Sequence, residues 1–319
     1  MMVFLISLEV WRDSEFISAV RIYSSLTELS ESESDFGLAL GVFDGVHLGH
    51  QAVIDSARGC GSVGVLTFDP HPVQVLAPGR APRRILANLE HKKRILEGMG
   101  VDFMVVIEFT LEFAKRDAID FGRELLGCGV VRLSAGEDWS FGKGRSGNMT
   151  RLAEWGKAAG IEVIAVEAVE MGGGRISSTR IRECLKNDDL EGAARLLGRP
   201  YSVFGEVVAG KQLGRTMGVP TANVVVDGEQ LPPDGVYRVE GNGIPGVANV
   251  GTRPTVDDSG RRSLEVHLFS DEVADSYGWW LEVGFLAKIR EEKKFGSLDE
   301  LKAQIHEDIA HARNELRAL

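Results

Sequence analysis

The densest run of residues able to do chemistry is Gly41-Val-Phe-Asp-Gly-Val-His-Leu-Gly-His50. Gly41, Gly45 and Gly49 permit a turn that brings backbone close to a ligand, and helical spacing begins near Leu48. His47 and His50 are three positions apart, so at the start of a helix they share one face. Two imidazole N–H donors beside the positive end of a helix suit a polyphosphate. They would stabilise charge building on an α-phosphate and on a departing pyrophosphate, with no covalent intermediate. Taken alone, His-x-Gly-His fits two surface histidines in a glycine-rich turn equally well. Ile176-Ser-Ser-Thr-Arg-Ile-Arg182 shifts that balance: Ser178 or Thr179 is expected to cap a helix, with Arg182 one turn later on the adjoining face. Two anion-ready helix starts in one domain are less easily accidental than one. For Asp69 and His71, a turn set by Pro70 and Pro72 and a functional role stand level.

A second constellation lies in the C-terminal half. Gly210-Lys-Gln-Leu-Gly-Arg-Thr-Met-Gly-Val-Pro-Thr-Ala-Asn223 is glycine-rich, yet it is no Walker P-loop, because no Gly-Lys-Ser/Thr opens a helix. It runs from one strand to the next. Lys211 and Arg215 in such a loop can cover phosphates, while Thr221 and Asn223 present oxygen ligands suited to Mg²⁺. Downstream, Leu264-Glu-Val-His-Leu alternates as a strand, so Glu265 and His267 point to one face. A carboxylate there is placed to take a proton from a hydroxyl nucleophile. By itself the same pattern describes a half-exposed strand facing water. His91, His306 and His311 fall on helical segments with no partner in the sequence and are expected to be solvated.

The elements that must position these groups fall into two regimes. Strands are expected over Gly37–Phe43, Val63–Phe68, Phe103–Glu108, Gly129–Ser134 and Ile161–Val166. Between them come helices from near Leu48, over Asn88–Met99 (capped by Asn88), over Leu111–Leu126 and over Arg151–Ala159. Such alternation implies right-handed crossovers and a parallel, doubly wound α/β sheet, whose ligands bind beyond the carboxyl ends of the strands. After Pro200 the runs become short, valine-rich and glycine-punctuated: Val203–Ala209, Gly235–Glu240, Gly246–Val250, Leu264–Phe269 and Trp280–Phe285. No crossover helix fits between them, so a small antiparallel β-barrel is expected, closed by a C-terminal helix from the Ser297 cap, with Glu300 in a capping box, to about Leu316. The boundary is placed near residues 196–200, giving domains 1–197 and 198–319.

Bulk composition sets limits. The chain has 319 residues, 44% of them hydrophobic and 26% charged, enough for two ordinary cores. A net charge of −11 argues against a nucleic-acid binder, which needs a basic face, but leaves a nucleotide substrate open. Met1–Trp11 is apolar but broken by Glu9 and lacks a basic lead, so it reads as a first strand rather than a signal peptide or membrane span. The three cysteines, Cys60, Cys128 and Cys184, are far apart and show no CxxC spacing. They organise neither disulfides nor zinc and read as small core residues in a reducing cytoplasm.

Several segments together resemble the prokaryotic bifunctional riboflavin kinase/FAD synthetase family. In the first half these are GVFDGVHLGH, FDPHP (Phe68–Pro72), AGEDWSFGKGRSGN (Ala135–Asn148) and ISSTRIR, which resemble its FMN adenylyltransferase module. In the second half GRPYSVFGEVVAG, GRTMGVPTAN, LPPDGVY, VANVGTRPTV, LEVHLF and FLAKIREEKKFGSLDELKAQIHED follow its riboflavin kinase module in order and spacing. The resemblance implies that riboflavin is phosphorylated to FMN and FMN is adenylylated to FAD, with ATP and Mg²⁺ in use. It implies that Gly41, Phe43, Asp44, His47, His50, Ser178, Thr179 and Arg182 form the adenylyltransferase ATP site, with Asp69, His71 and Asp138 shaping the FMN pocket. In the kinase it implies ATP contacts from Gly210, Lys211, Gly214, Arg215, Gly218, Thr221 and Asn223. There Thr221 and Asn223 would be the metal ligands, Glu265 the base for the riboflavin 5′-hydroxyl, and Arg290 a group near the flavin. The chain departs from the family pattern at Ser270–Gly278, which is followed by Trp279 and Trp280. Two other readings would keep the scaffold: a flavin-binding protein without turnover, or a nucleotidyltransferase for another phosphorylated acceptor. Retention of flavin without conversion marks the first, and a substrate screen marks the second.

Overall fold

The computed structural model describes residues 20–33, 35–82, 84–209, 218–252, 262–270 and 277–317. The strand expected at Met1–Trp11, the loop residues Gly210, Lys211, Gly214 and Arg215, and most of the departing hairpin lie outside them. Two compact units divide between Ser178 and Thr179.

The first unit runs β1 (Arg21–Tyr23), α1 (Leu26–Ser32), β2 (Phe36–Leu40), α2 (Leu48–Ser56), β3 (Val63–Asp69), α3 (Pro72–Leu76), α4 (Leu89–Gly98) and β4 (Phe103–Glu108). It continues with α5 (Ala118–Gly127), β5 (Val130–Gly136), β6 (Ser140–Phe141), β7 (Gly147–Asn148), α6 (Met149–Ala159), β8 (Glu162–Val166), β9 (Glu170–Met171) and β10 (Gly174–Arg175). Six strands form one sheet in the order β1-β4-β3-β2-β5-β8, all neighbours parallel. The expected doubly wound sheet is therefore present. Its apolar residues divide between the two faces: Leu38, Leu40, Phe103 and Leu133 pack toward α1, α5 and α6, while Ala39, Val65 and Met104 pack toward α2 and α4.

Local chemistry explains where the expected boundaries moved. The strand expected through Phe43 stops at Leu40, because Phe43 adopts φ +54°, a left-handed conformation no strand contains. The helix expected over Leu111–Leu126 breaks in two. A 3₁₀ turn covers Phe113–Lys115, and α5 starts afresh where Asp117 caps it by accepting from the Ile119 N–H at 2.8 Å. Asn88 caps α4 as expected, accepting from the His91 N–H at 2.9 Å. His91 itself is buried rather than solvated.

The second unit carries α7, whose helix starts at Ser178 (Ser178–Lys186), and α8 (Leu190–Leu197), then β11 (Tyr201–Val208), β12 (Ala222–Val225), β13 (Gly235–Gly241), β14 (Ile244–Thr252), β15 (Arg262–Leu268), β16 (Trp280–Arg290) and α9 (Leu298–Arg317). The strands close an antiparallel barrel in the order β11-β12-β15-β14-β13-β16. Alternate residues such as Ala222, Val224, Leu264, Val266 and Leu268 are buried. Ser297 caps α9 by accepting from the Glu300 N–H at 3.2 Å, but the Glu300 carboxylate accepts from the Gly296 N–H, one residue earlier than a capping box requires. His306 and His311 are exposed on α9.

Packing across the first sheet is close enough to test. Gly64 lies in β3 against the Phe103 ring, which an added Cβ would run into. Gly64→Ala should therefore destabilise the protein by about 1–3 kcal/mol, the usual cost of overpacking. Urea denaturation reads this directly, and an unchanged midpoint would mean that Phe103 has room to move.

Candidate active sites

The strand order places a topological switch at β2, since β3 and β5 flank it on opposite sides. Ligands of such sheets bind beyond the carboxyl ends of the strands at the switch. The turn 41–47 follows β2, the FDPHP segment follows β3, and Asp138 follows β5, so three candidate segments gather at that edge.

The turn after β2 is tightly held. Gly41 N–H donates to the Leu66 carbonyl at 3.1 Å, and Phe43, Gly45 and Val46 all have positive φ. A Cβ at Gly45 would lie 2.8 Å from Leu86 Cδ1, so only glycine fits there. Asp44 is buried, and its Oδ1 accepts from the Leu86 N–H at 2.7 Å and the Ala87 N–H at 3.4 Å. Its backbone carbonyl accepts from the Ser178 hydroxyl at 2.8 Å. The expected cap at Ser178 or Thr179 is thus corrected: both lie inside α7, and the Ser178 hydroxyl ties the turn instead.

His47 is the N-cap of α2, its Nδ1 accepting from the His50 N–H at 3.3 Å. That bond assigns the remaining proton of a neutral His47 to Nε2. The two imidazoles stack with centroids 3.6 Å apart and planes 14° from parallel, and Phe43 meets His50 edge-on at 5.3 Å. The sequence-predicted pair is therefore one unit at a helix N-terminus. His71 is the N-cap of α3, accepting from the Val73 N–H at 3.2 Å, which favours the turn reading for that residue. Asp69 ends β3 and is exposed. Asp138 is held by Arg175 through two bonds of 2.7 and 2.9 Å, and this hydrogen bonding holds its carboxyl below the usual range. Nothing in the sequence marked Arg175 as its partner.

In the barrel, cross-strand register brings the kinase candidates together. Asn223 on β12 pairs with Glu265 on β15, which pairs with Asn249 on β14, then Val236 on β13, then Arg290 on β16. Directly opposed residues point to the same side of a sheet, so this is one row facing away from the barrel interior, with Asn223 and Val236 buried in it. Strand spacing of about 4.8 Å puts Asn223 and Asn249 on either side of Glu265. Asn249 was missed by sequence reasoning, since only the register reveals it. The Nδ1–H of His267 donates to the Pro220 carbonyl at 2.8 Å, next to Thr221. Burial holds the His267 pKa below its ordinary value, with that hydrogen bond opposing. Gly218, at φ +78°, is the described end of the glycine-rich loop. Arg290 is engaged by Asp308 of α9 through bonds of 2.9 to 3.1 Å. Among the described residues no cluster of three or more His, Cys, Asp or Glu could hold a metal, and no helix is long and apolar enough to cross a membrane.

Comparison with known proteins finds two family models along the chain. A family model described as FAD synthetase matches residues 29–180, and one described as riboflavin kinase matches residues 197–316. A bifunctional riboflavin kinase/FMN adenylyltransferase of Escherichia coli (strain K12) is 43% identical over 288 residues, covering 86% of this chain and 91% of the relative. One from Bacillus subtilis (strain 168) is 36% identical over 295 residues, covering 88% and 92%. A crystal structure of a protein described as a macrolide-efflux protein from Streptococcus pneumoniae superposes with a TM-score of 0.78 at 32% identity, covering 93% of this chain and 99% of that one.

The Arg290–Asp308 pair yields a prediction. Arg290→Met would leave the Asp308 carboxylate, 6% exposed, without its counter-charge. Unfolding free energy should fall by about 2–4 kcal/mol, at the low side for a buried pair because the guanidinium still touches water. A raised KM for riboflavin at unchanged stability would instead mark Arg290 as a direct flavin contact.

Proposed function

The chain belongs to the bifunctional riboflavin kinase/FMN adenylyltransferase family, and from that premise we propose how its residues divide the work. The enzyme phosphorylates riboflavin to FMN and adenylylates FMN to FAD, using ATP in both steps. We assign adenylyl transfer to residues 1–197 and phosphoryl transfer to residues 198–319. The stacked His47–His50 pair at the N-terminus of α2, beyond the switch strand, carries this reading.

In adenylyl transfer an oxygen of the FMN phosphate attacks the α-phosphorus of ATP, and the bond to the pyrophosphate oxygen breaks. The nucleophile is already anionic, so no base is required. What the step needs is neutralisation of charge on the α-phosphate and the leaving group. His47 and His50 supply N–H donors beside the positive end of α2, and the backbone around Gly41 and Phe43 would line the nucleotide. Asp44 and Ser178 hold that backbone in shape; for Thr179 and Arg182 the ATP-contact role rests on the family resemblance. Asp69 and Asp138 would border the FMN side, Asp138 through its pair with Arg175, and His71 would shape that edge by capping α3.

In phosphoryl transfer Glu265 accepts the proton of the riboflavin 5′-hydroxyl as its oxygen attacks the γ-phosphorus and ADP leaves. Mg²⁺ would neutralise the phosphates here, held by Thr221 and Asn223. Few protein oxygens, with the rest supplied by phosphate and water, are the donor set this ion favours. Gly210, Lys211, Gly214, Arg215 and Gly218 would cover the nucleotide. Arg290, tied to Asp308, would shape the flavin side of the row. Three free cysteines support a cytoplasmic location.

The two assignments separate cleanly by mutation. His50→Ala should slow FAD formation from supplied FMN by roughly 10²–10³-fold, the usual loss for one transition-state donor, and leave FMN formation intact. Glu265→Gln should stop FMN formation and leave FAD formation intact. If either variant lost both reactions while still folded, this division of labour would be wrong.

A further inference from the structure

Beneath the turn that carries His47 and His50 lies a buried lysine. Lys92, on α4, is 6% exposed. Its Nζ donates to the Val42 carbonyl at 2.8 Å and to the Thr67 hydroxyl at 3.1 Å. Thr67 donates to the same carbonyl at 3.0 Å. Both acceptors are neutral oxygens. Asp44 in the turn and Asp69 at the end of β3 are the titratable groups that face Lys92, and both favour its charged form.

Burying a cation against neutral hydrogen-bond acceptors is costly, and a protein that only needed to fix a carbonyl could use an amide or hydroxyl. Desolvation lowers the Lys92 pKa to about 8, with Asp44 and Asp69 opposing. The charge sits where water does not screen it, directly under the first residues of the anion-binding turn. In such surroundings a positive charge acts more strongly on nearby phosphate than it would in water. A polyphosphate bound above the turn would bring a strong anion close to this charge.

We propose that Lys92 is a positioning residue of the adenylyl-transfer site, a buried charge that holds the turn from below and is completed by the phosphates bound above it. This rests on the reading that the 41–50 turn holds ATP for adenylyl transfer. Two consequences have opposite signs. Because the folded pKa lies below that of an unfolded lysine, raising pH through about 8 removes a buried charge and increases the stability contributed by Lys92. The same deprotonation removes the charge that the phosphates use, so FAD formation should fall. A purely structural lysine would not separate activity from stability in this way.

The test measures FAD formation from FMN and Mg-ATP between pH 6.5 and 9.5, alongside thermal unfolding, in the full chain and in Lys92→Met, Lys92→Arg and His50→Ala. FMN formation from riboflavin in each preparation serves as the reference. Lys92→Met should lose roughly 10- to 100-fold in FAD formation at pH 7, with a raised KM for ATP, and keep its kinase activity. The wild-type fall in FAD formation above pH 8 should be absent in Lys92→Met and displaced to higher pH in Lys92→Arg. Should Lys92→Met fail to fold, the Lys92→Arg pH profile and that of Thr67→Val, which keeps the charge but drops one acceptor, decide the matter. An alkaline limb identical in wild type and Lys92→Arg, or Lys92→Met activity within twofold of wild type, overturns the proposal. If His50→Ala also leaves FAD formation unchanged, the reading of the site itself fails. If His50→Ala is impaired and the Lys92 variants are not, only the role of Lys92 fails.

Discussion

The first half of this protein depends on one buried carboxylate. Asp44 accepts two backbone N–H groups from Leu86 and Ala87, and its own carbonyl receives the Ser178 hydroxyl. These bonds draw two segments distant in sequence onto one turn. They also offset the cost of holding Phe43 and Val46 at positive φ, where side-chain-bearing residues are strained. With the turn so fixed, α2 starts at Leu48, and the His47 and His50 rings are stacked over its first turn. Donors that need no rearrangement are the ones that most effectively stabilise a charged transition state.

The second half solves a similar problem by register rather than by a turn. Asn223, Glu265 and Asn249 come from three strands yet share one row, because each strand is paired to its neighbour at that level. A shift of one residue would send all three side chains into the barrel core. The interior residues Val224, Leu264, Val266 and Val250 forbid that shift, since it would expose them. The apolar core thus sets the geometry of the polar row. His267 reinforces it from the next outward-facing position on β15, holding the Pro220 carbonyl beside Thr221.

What the sequence made legible were features carried by neighbouring residues. His47 and His50, the Asn88 cap, the parallel sheet and the barrel all follow from local spacing and periodicity. Features made by distant partners were not legible. Lys92 reads in the sequence as a charged helix residue beside His91 and Lys93, and nothing local shows that it turns inward to Val42 and Thr67. Asn249 becomes visible only through strand register, and the pairs Asp138–Arg175 and Arg290–Asp308 only through tertiary approach. The broken helix at Asp117 was misread because its apolar spacing continues across the cap.

On the assignment proposed above, a single chain carries riboflavin through FMN to FAD at two separate ATP sites. This is tested most directly by incubating purified protein with riboflavin and Mg-ATP and resolving the three flavins by chromatography over time. FMN should appear first, with FAD following at its expense. Folded protein that binds riboflavin yet forms neither product would contradict it.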